Sequence, residues 1–325
     1  MTSVFGLLVM VFLSVAQPLS LDGVLARAER AAAAFRRDLP QVVADESYVQ
    51  VLAVTPGSSS ITRSLHSEVA ITADEDDATW SAFRHVLDVN GKPLEGATRG
   101  RLEHVLSGPR PASLNDARRI DRQGAPYVLM GSDGPAKAAT FPLMVLLPPH
   151  QARFAFSKRG EKRVRNRTLW VIGYHEVRGP MFFRDVQGRE APMTGEFWTD
   201  PQSGSILRSQ FVVDSGEGVR GGAGRTDVAP LLVGVGFSRI NVEVTYQADP
   251  ALGAAVPVEM KETRSRDVVM GGFGGPALGS TSATHYLRQR LSCVAKYAHY
   301  RRVAVPAPHP QRAPGPAFIP GEGAP

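Results

Sequence analysis

Cysteine is almost absent from this chain. Cys293 is the single cysteine among 325 residues, so no disulfide can form within the molecule. Such a chain must be stabilised by the burial of its own apolar residues, which make up 43% of the sequence. Cys293 lies in the strand-like run RLSCVAKYAHYRR, where we expect a small buried side chain rather than a reactive thiol.

An apolar run long enough to cross a membrane is also missing, so no transmembrane span is predicted. The run at residues 4–16 is 13 residues long, whereas a spanning helix needs about 20. Its length is typical of a signal-peptide core, and Ser14 and Ala16 satisfy the small-residue rule for cleavage after Ala16. Residues 1–6 lack the usual Lys or Arg, and a buried N-terminal helix is the alternative. We predict a signal peptide over residues 1–16 and a periplasmic or secreted protein.

Motifs of catalysis and cofactor binding are lacking as well. The eight histidines form no HxxxH or HExxH pattern, and neither a Walker motif nor a GxSxG elbow occurs. Gly216, Gly218 and Gly221 spell GxGxxG, but more glycines follow where a dinucleotide site needs a helix, so we predict a flexible loop. We expect no catalytic residue, no metal, no cofactor and no enzyme activity. A Ser–His–Asp or metal site assembled from distant strands is the alternative.

Positive charge is concentrated in one stretch. The net charge is +6, and the window 153–167, RFAFSKRGEKRVRNR, alone holds seven basic residues and one acid. No base-stacking aromatics are spaced among these charges, which argues against a nucleic acid partner. We interpret the window as a solvated hairpin with Gly160 at its turn. The alternative is a basic surface for phosphate head groups, an acidic polymer or an acidic envelope partner, made of Lys158, Arg159, Lys162, Arg163, Arg165 and Arg167.

Three segments have helical patterns. Residues 21–39 carry apolar side chains at helical spacing before Pro40, with Asp22 as a plausible N-cap. Residues 113–123 begin with Ser113, which we take as the cap of a second helix. Residues 140–150, TFPLMVLLPPH, are almost wholly apolar, so this helix must be buried or must cover an apolar surface.

The rest of the chain has the pattern of strands joined by short turns. About nine or ten β-branched or aromatic runs alternate with Gly, Pro and Asn, as in INVEVTYQA, and Asn90-Gly91 is a strong hairpin signal. In EFWTDPQSGSILRSQF, residues 200–204 have the composition of a turn, so we interpret Glu196 and Asp200 as parts of a bend and not as an acid–base pair. The absence of a βαβ rhythm favours an antiparallel sheet.

Several of these stretches resemble a known family. FWTDPQSGSILRS, followed by VEVTYQADPALGAAVPVEMKE, looks like the sheet of the periplasmic lipoprotein carriers of the Lol system. VVADESYVQ, FRHVLDVNGKPL and KYAHYRRV match uncharacterised secreted bacterial proteins with such a carrier-like domain, over about residues 42–303. The resemblance implies an open, strongly curved antiparallel half-barrel whose concave face is covered by helices. In the carriers the cavity takes acyl chains of lipoproteins, and another relative is a periplasmic stress sensor.

We therefore predict an α+β protein with one half-barrel domain over residues 17–303 and a disordered proline-rich tail over 304–325. The expected function is non-enzymatic binding of a lipid or an acylated protein. A periplasmic sensor or envelope interaction module is the alternative, and a hydrolase is a third. Seven candidate lining residues alternate onto one face of the predicted strands, although each could equally be ordinary core: Phe154, Phe156, Trp170, Ile172, Val242, Val244 and Tyr246.

Overall fold

The computed structural model describes residues 19–55, 59–73, 79–130, 139–184, 189–214, 239–270 and 285–304. The predicted signal peptide, the GxGxxG stretch and residues 305–325 of the predicted tail lie outside the described residues.

The first helix, α1 (Leu21–Asp38), is amphipathic as predicted. Its N-cap is Ser20, whose Oγ accepts a hydrogen bond from the Gly23 amide at 3.1 Å, so the expectation of an Asp22 cap is wrong. Asp22 instead lies in the first turn, where a carboxylate favours the positive end of the helix dipole. The buried residues recur every three or four positions and form one stripe: Val24, Ala28, Ala32 and Phe35.

In the described part of the chain, eleven strands form one antiparallel sheet in the spatial order β4-β3-β2-β1-β13-β12-β11-β10-β9-β6-β5. This confirms the predicted α+β class with an antiparallel sheet. In chain order the strands are β1 (Gln41–Thr55), β2 (Ser60–Ala73), β3 (Trp80–Val89), β4 (Lys92–Pro93), β5 (Phe154–Val164), β6 (Arg167–Glu176), β9 (Met193–Thr199), β10 (Ile206–Asp214), β11 (Arg239–Asp249), β12 (Ala254–Met270) and β13 (His285–Arg302). The pair β7 (Phe183–Arg184) and β8 (Glu190–Ala191) forms a separate small ladder.

Two predicted turns are confirmed. Asn90 and Gly91 have φ angles of 52° and 75° and join β3 to β4, as in a type I′ turn. Asp200 Oδ1 accepts hydrogen bonds from the amides of Gln202 and Ser203 at 2.9 and 3.2 Å, which closes the turn between β9 and β10. The stretch that contains Glu196 and Asp200 is therefore a bend between two strands, as predicted.

The helices that follow β4 correct one expectation. α2 (Arg101–Leu106) and α3 (Ala112–Gly124) bury their apolar residues against the sheet in a cluster made of Val43, Ala70, Phe83, Leu102, Leu106, Ala117, Ile120 and Val303. The predicted Ser113 cap is wrong, because α3 begins one residue earlier and Pro111 occupies the cap position. Ser113 is buried within the first turn, and its Oγ has no hydrogen-bond partner among the described residues.

The apolar stretch after residue 139 is helical and buried, but it is not one α-helix. Phe141–Leu146 is a 3-10 helix, which we call the apolar 3-10 segment, and α4 (Pro148–Gln151) follows after a break at Leu147. Pro142 lacks an amide hydrogen, and the two prolines at 148 and 149 stop any continuation, so only a short, tight helix forms. All six residues of the segment are buried, as the sequence predicts.

The basic window forms the hairpin β5–β6, but its turn is not at Gly160. Residues Arg165 and Asn166 make the turn, because Val164 pairs with Arg167. Gly160 instead lies inside β5, next to a register shift between Lys158 and Gly160 that indicates a β-bulge. Sequence composition favoured glycine for the turn, whereas the β5–β6 register places Gly160 opposite Val171, within the ladder.

Candidate ligand-binding face

The pairing register places all seven candidate lining residues on one face of the sheet. Ile172 pairs with Phe197 of β9, Phe197 with Ser209 of β10, and Ser209 with Val244 of β11, so their side chains share a side. Alternation along each strand brings the other candidates to the same side. We call this side the aromatic face, and its predicted members are Phe154, Phe156, Trp170, Ile172, Val242, Val244 and Tyr246.

Two elements cover this face. Val24 of α1 packs with Trp170 and Ile172, while the following turns of α1 join the main core together with the apolar 3-10 segment. Every candidate is buried except Phe156, which is half-buried, and Val244 is completely inaccessible to solvent. The candidates therefore lie in two neighbouring groups: Trp170 and Ile172 contact the start of α1, and Phe154, Val242, Val244 and Tyr246 belong to the main core.

An aromatic cluster lies where the apolar 3-10 segment meets the sheet. The Phe141 ring is edge-on to Phe183 and Phe211, with centroids 5.7 and 5.4 Å apart. Phe154 stacks on Phe182 at 6.0 Å. Edge-to-face and offset-stacked rings stabilise a core beyond the area that they bury. This cluster fixes the segment and the loop around Phe182 against β10 and β5.

Some aromatic residues of this region were not predicted from the sequence. Tyr174 and Phe197 stack with centroids 4.8 Å apart. Tyr174 follows Trp170 and Ile172 at the same spacing of two, so strand alternation could have identified it. Phe182 lies in a loop and Phe183 in the two-residue strand β7, where no periodicity indicates that these half-buried rings pack against the core.

Buried tyrosine hydroxyls on this face donate hydrogen bonds to backbone carbonyls, and one of these carbonyls, that of Ala139, lies just before the apolar 3-10 segment. Tyr246 Oη donates to the Ala139 carbonyl at 3.0 Å and lies 3.0 Å from Ser209 Oγ. Tyr174 Oη donates to the Gln210 carbonyl at 3.1 Å. Burial raises the pKa of both phenols well above its ordinary value, so both stay protonated and act as neutral donors. The hydrogen bond from Tyr246 to Ala139 holds the residues just before the apolar 3-10 segment against β11.

Toward β1 and β3 the same face becomes polar. Arg84 donates to the Glu46 carboxylate from Nε and Nη2 at 2.6 and 2.9 Å, and its guanidinium lies 4.4 Å above the Tyr48 ring. Burial acts to lower the pKa of Arg84, but the Glu46 charge outweighs it and raises that pKa. Glu262 and Arg264 form a second buried ion pair. The polar part of the face thus consists of charges that already neutralise one another.

Cys293 lies on this face as a small buried side chain, as the sequence predicts. It is 2% exposed and forms no disulfide. Burial raises the pKa of its thiol to about 12, so the nucleophilic thiolate is scarcely populated at neutral pH.

The six residues of the predicted basic surface lie on or next to the β5–β6 hairpin, and all are exposed. Lys158 is ion-paired with Glu161 at 2.7 Å, and its ammonium lies 3.7 Å above the Trp170 ring. The other five form no ion pair among the described residues: Arg159, Lys162, Arg163, Arg165 and Arg167. Their charges are therefore available to an anionic partner.

Two surface depressions lie away from the candidate residues. One, of about 540 Å³, lies at the end of α1 between Arg37, Gln41, Leu252 and Arg302. Arg302 there already donates to the Asp38 and Leu252 carbonyls at 2.7 Å. The other, of about 470 Å³, is lined by the charged side chains of Asp45, Asp88, Arg99 and Lys296 and by the imidazoles of His66 and His299.

Within the described ranges, three or more His, Cys, Asp or Glu side chains do not come together in a way that could hold a metal ion. Among the helices described, none combines the length and the apolar character needed to cross a membrane.

No family model matches the chain, and no curated protein matches it significantly. Solved structures similar to it include a LolA superfamily protein from Nitrosomonas europaea, 9% identical, with a TM-score of 0.31 over 89% of this chain and 96% of that one. A DUF1329 family protein from Desulfovibrio piger is 8% identical, with a TM-score of 0.29 over 86% and 92%. A domain assigned as an outer membrane lipoprotein-sorting protein from Vibrio parahaemolyticus is 10% identical, with a TM-score of 0.28 over 84% and 92%.

These solved structures include the class of protein that the sequence resembles. At such identities and TM-scores they carry no argument about the ligand, partner or location of this chain.

Proposed function

We propose that this chain is an exported, non-enzymatic binding protein. Its ligand would be a lipid or the acyl chain of an acylated protein, held between the aromatic face and its cover, α1 and the apolar 3-10 segment. The observation that carries the proposal is that one face of five adjacent strands, from β5 to β11, is apolar and aromatic and lies under α1 and the apolar 3-10 segment. Apolar pockets with few polar groups are typical of small-molecule binding sites.

We further propose that the sheet curves around α1 as an open half-barrel. Val24 packs on Trp170 of β6, whereas the Phe35 ring lies 6.0 Å from the Trp80 ring of β3. β6 and β3 are eight strand positions apart, which is about 38 Å across a flat sheet. Eleven residues of helix separate Val24 from Phe35, a rise of about 16 Å. A curved sheet brings the two strands within reach of one helix.

The cover has features of an element that can move aside for a ligand. The apolar 3-10 segment has no side-chain cap, and 3-10 hydrogen bonds have poorer geometry than α-helical ones. Its attachment to the sheet includes the Phe141 ring contacts and the Tyr246–Ala139 hydrogen bond. Displacement of this segment would open an apolar space between Phe211, Val242 and Val244 without breaking the sheet.

One observation favours the second candidate function, an envelope sensor or interaction module. The candidate lining residues other than Phe156 are at most 7% exposed, so the aromatic face is filled by the protein's own side chains. A filled face suits a protein whose recognition takes place elsewhere. Truncation of residues 306–325 should then abolish partner capture if the tail takes part, and the basic hairpin is the other candidate surface.

The test is photocrosslinking combined with native mass spectrometry of the full chain, expressed in an exporting host and purified without delipidation. A benzophenone amino acid replaces Phe156, which is half-buried on the aromatic face, or Val49, which is 40% exposed on the opposite face. We expect an adduct of lipid mass at position 156 and none at position 49. A chain with no adduct at either position, and with no thermal stabilisation by added lipid, would contradict lipid binding.

A further inference from the structure

We propose that the outer edge of β5 binds an extended acidic peptide segment, which adds to the sheet as a twelfth strand. The inference is independent of the lipid proposal, because it concerns the edge of the sheet and not its covered face. Adding a strand to an open edge supplies main-chain hydrogen bonds, and side chains on both faces supply specificity.

The edge is open within the described part of the chain. β5 is the last strand of the sheet and pairs only with β6. Its backbone from Phe154 to Val164 makes no hydrogen bond to a described loop or turn. An exposed edge of this kind is a template for pairing with another chain.

The turn of the hairpin determines which backbone groups face outward. Val164 and Arg167 flank the two-residue turn, and the pair that closes such a turn exchanges both ladder hydrogen bonds. Bonded and non-bonded pairs alternate along an antiparallel ladder. The amide and carbonyl groups of Arg163 and Glu161 therefore point away from β6, toward the open edge.

The charges in the C-terminal half of β5 favour an acidic partner that lies along the edge of the sheet. Arg163 pairs with Thr168, on the same side as Trp170, whereas Lys162 lies on the opposite side. An added strand projects alternate side chains to both sides and can meet both cations. A flat anionic membrane would meet the tip or one side only. A second copy of this edge would be repelled by its like charge.

The bulge sets the length of the site. It interrupts the ladder between Lys158 and Gly160, and bulges discourage pairing at an edge. The usable stretch is therefore residues 160–164, which holds Lys162 and Arg163, with Arg165 in the turn beside it. So short a site corresponds to weak, salt-dependent binding, with Kd on the order of 10–100 µM, as for transient contacts.

The test is fluorescence anisotropy of the full chain with a labelled peptide, Thr-Glu-Asp-Val-Asp-Glu-Thr, that carries acids on both sides of an extended strand. Two control peptides are matched to it: one has Gln and Asn in place of the acids, and one is N-methylated at alternate residues. We expect binding of the first peptide alone, weakened at least about fivefold in 0.5 M NaCl because screening shortens the range of the charges.

Two variants of Arg163 separate the contribution of its backbone amide to peptide binding from the contribution of its charge. Arg163→Ala removes a cation and keeps the outward amide, and we expect it to weaken binding about threefold. Arg163→Pro removes the same cation and the amide, and we expect a loss of tenfold or more. Arg118→Ala on α3 is the surface control and should bind as the unchanged chain does. Circular dichroism verifies that each variant is folded.

Four results would overturn the proposal. Equal binding of the N-methylated peptide, or equal losses for Arg163→Ala and Arg163→Pro, would show that the hairpin binds charge without adding a strand. Binding to phosphatidylglycerol vesicles but to no peptide would assign the hairpin to a membrane surface. Failure to bind either would leave the basic residues with the role of protecting the edge from pairing.

Discussion

The contact between α1 and the β9–β10 turn gives a sharp test of how the cover is held. Gly204 has a φ of 78°, and its Cα faces the helix backbone. A Cβ added there would overlap the Arg27 carbonyl group and lie 2.6 Å from Ala28 N. Because these neighbours are backbone atoms, α1 itself would have to move. Arg27 Nε also donates to the Pro201 carbonyl of the same turn at 2.9 Å, so the movement would strain this bond.

Gly204→Ala should therefore cost more than the strain of its backbone conformation. Left-handed backbone costs a non-glycine residue about 1–2 kcal/mol, and overpacking adds about 1–3 kcal/mol. Gly253→Ala is the matched control, because Gly253 has a φ of 66° and has nothing within 4 Å of an added Cβ. Urea unfolding followed by tryptophan fluorescence should show a loss at least about 1 kcal/mol greater for Gly204→Ala. Equal losses in the two variants would refute the close contact between turn and helix.

Three further predictions concern the core of the aromatic face. Phe211→Ala should lower the free energy of unfolding by about 3–5 kcal/mol, because it leaves a cavity beneath Phe141; a loss below about 1 kcal/mol in urea would contradict this packing. Glu46→Ala should lower the free energy of unfolding by about 3–5 kcal/mol, because it leaves Arg84 buried without its carboxylate partner. The double variant Glu46→Leu/Arg84→Met should recover part of that loss. If it recovers none, the ion-pair explanation is wrong. Cys293 should react with iodoacetamide at pH 8 about 1,000-fold more slowly in the folded chain than in urea, because burial raises its pKa to about 12; rapid labelling of the folded chain would show that the thiol is accessible.

Much of the candidate face could be predicted from strand alternation. Val242, Val244 and Tyr246 follow one another at a spacing of two, and the sheet places them on the covered side. Gly160 shows the limit of prediction from local sequence, because a glycine is equally suitable for a turn and for a β-bulge. Only the register between β5 and β6 distinguishes the two, because it pairs Val164 with Arg167 and so places the turn at residues 165 and 166.

The sequence by itself determined the class of fold, the amphipathic helix α1, the turns at residues 90–91 and 200–204, and the concentration of basic residues near 153–167. These features follow from local rules: periodicity, the backbone preferences of Gly, Pro and Asn, and the placement of charges. The tertiary structure alone decided that Phe182 and Phe183 pack against the core, that Glu46 neutralises Arg84, and that β5 lies at an edge of the sheet. Those relations join residues far apart in the chain, and their energies arise only when packing brings the residues together.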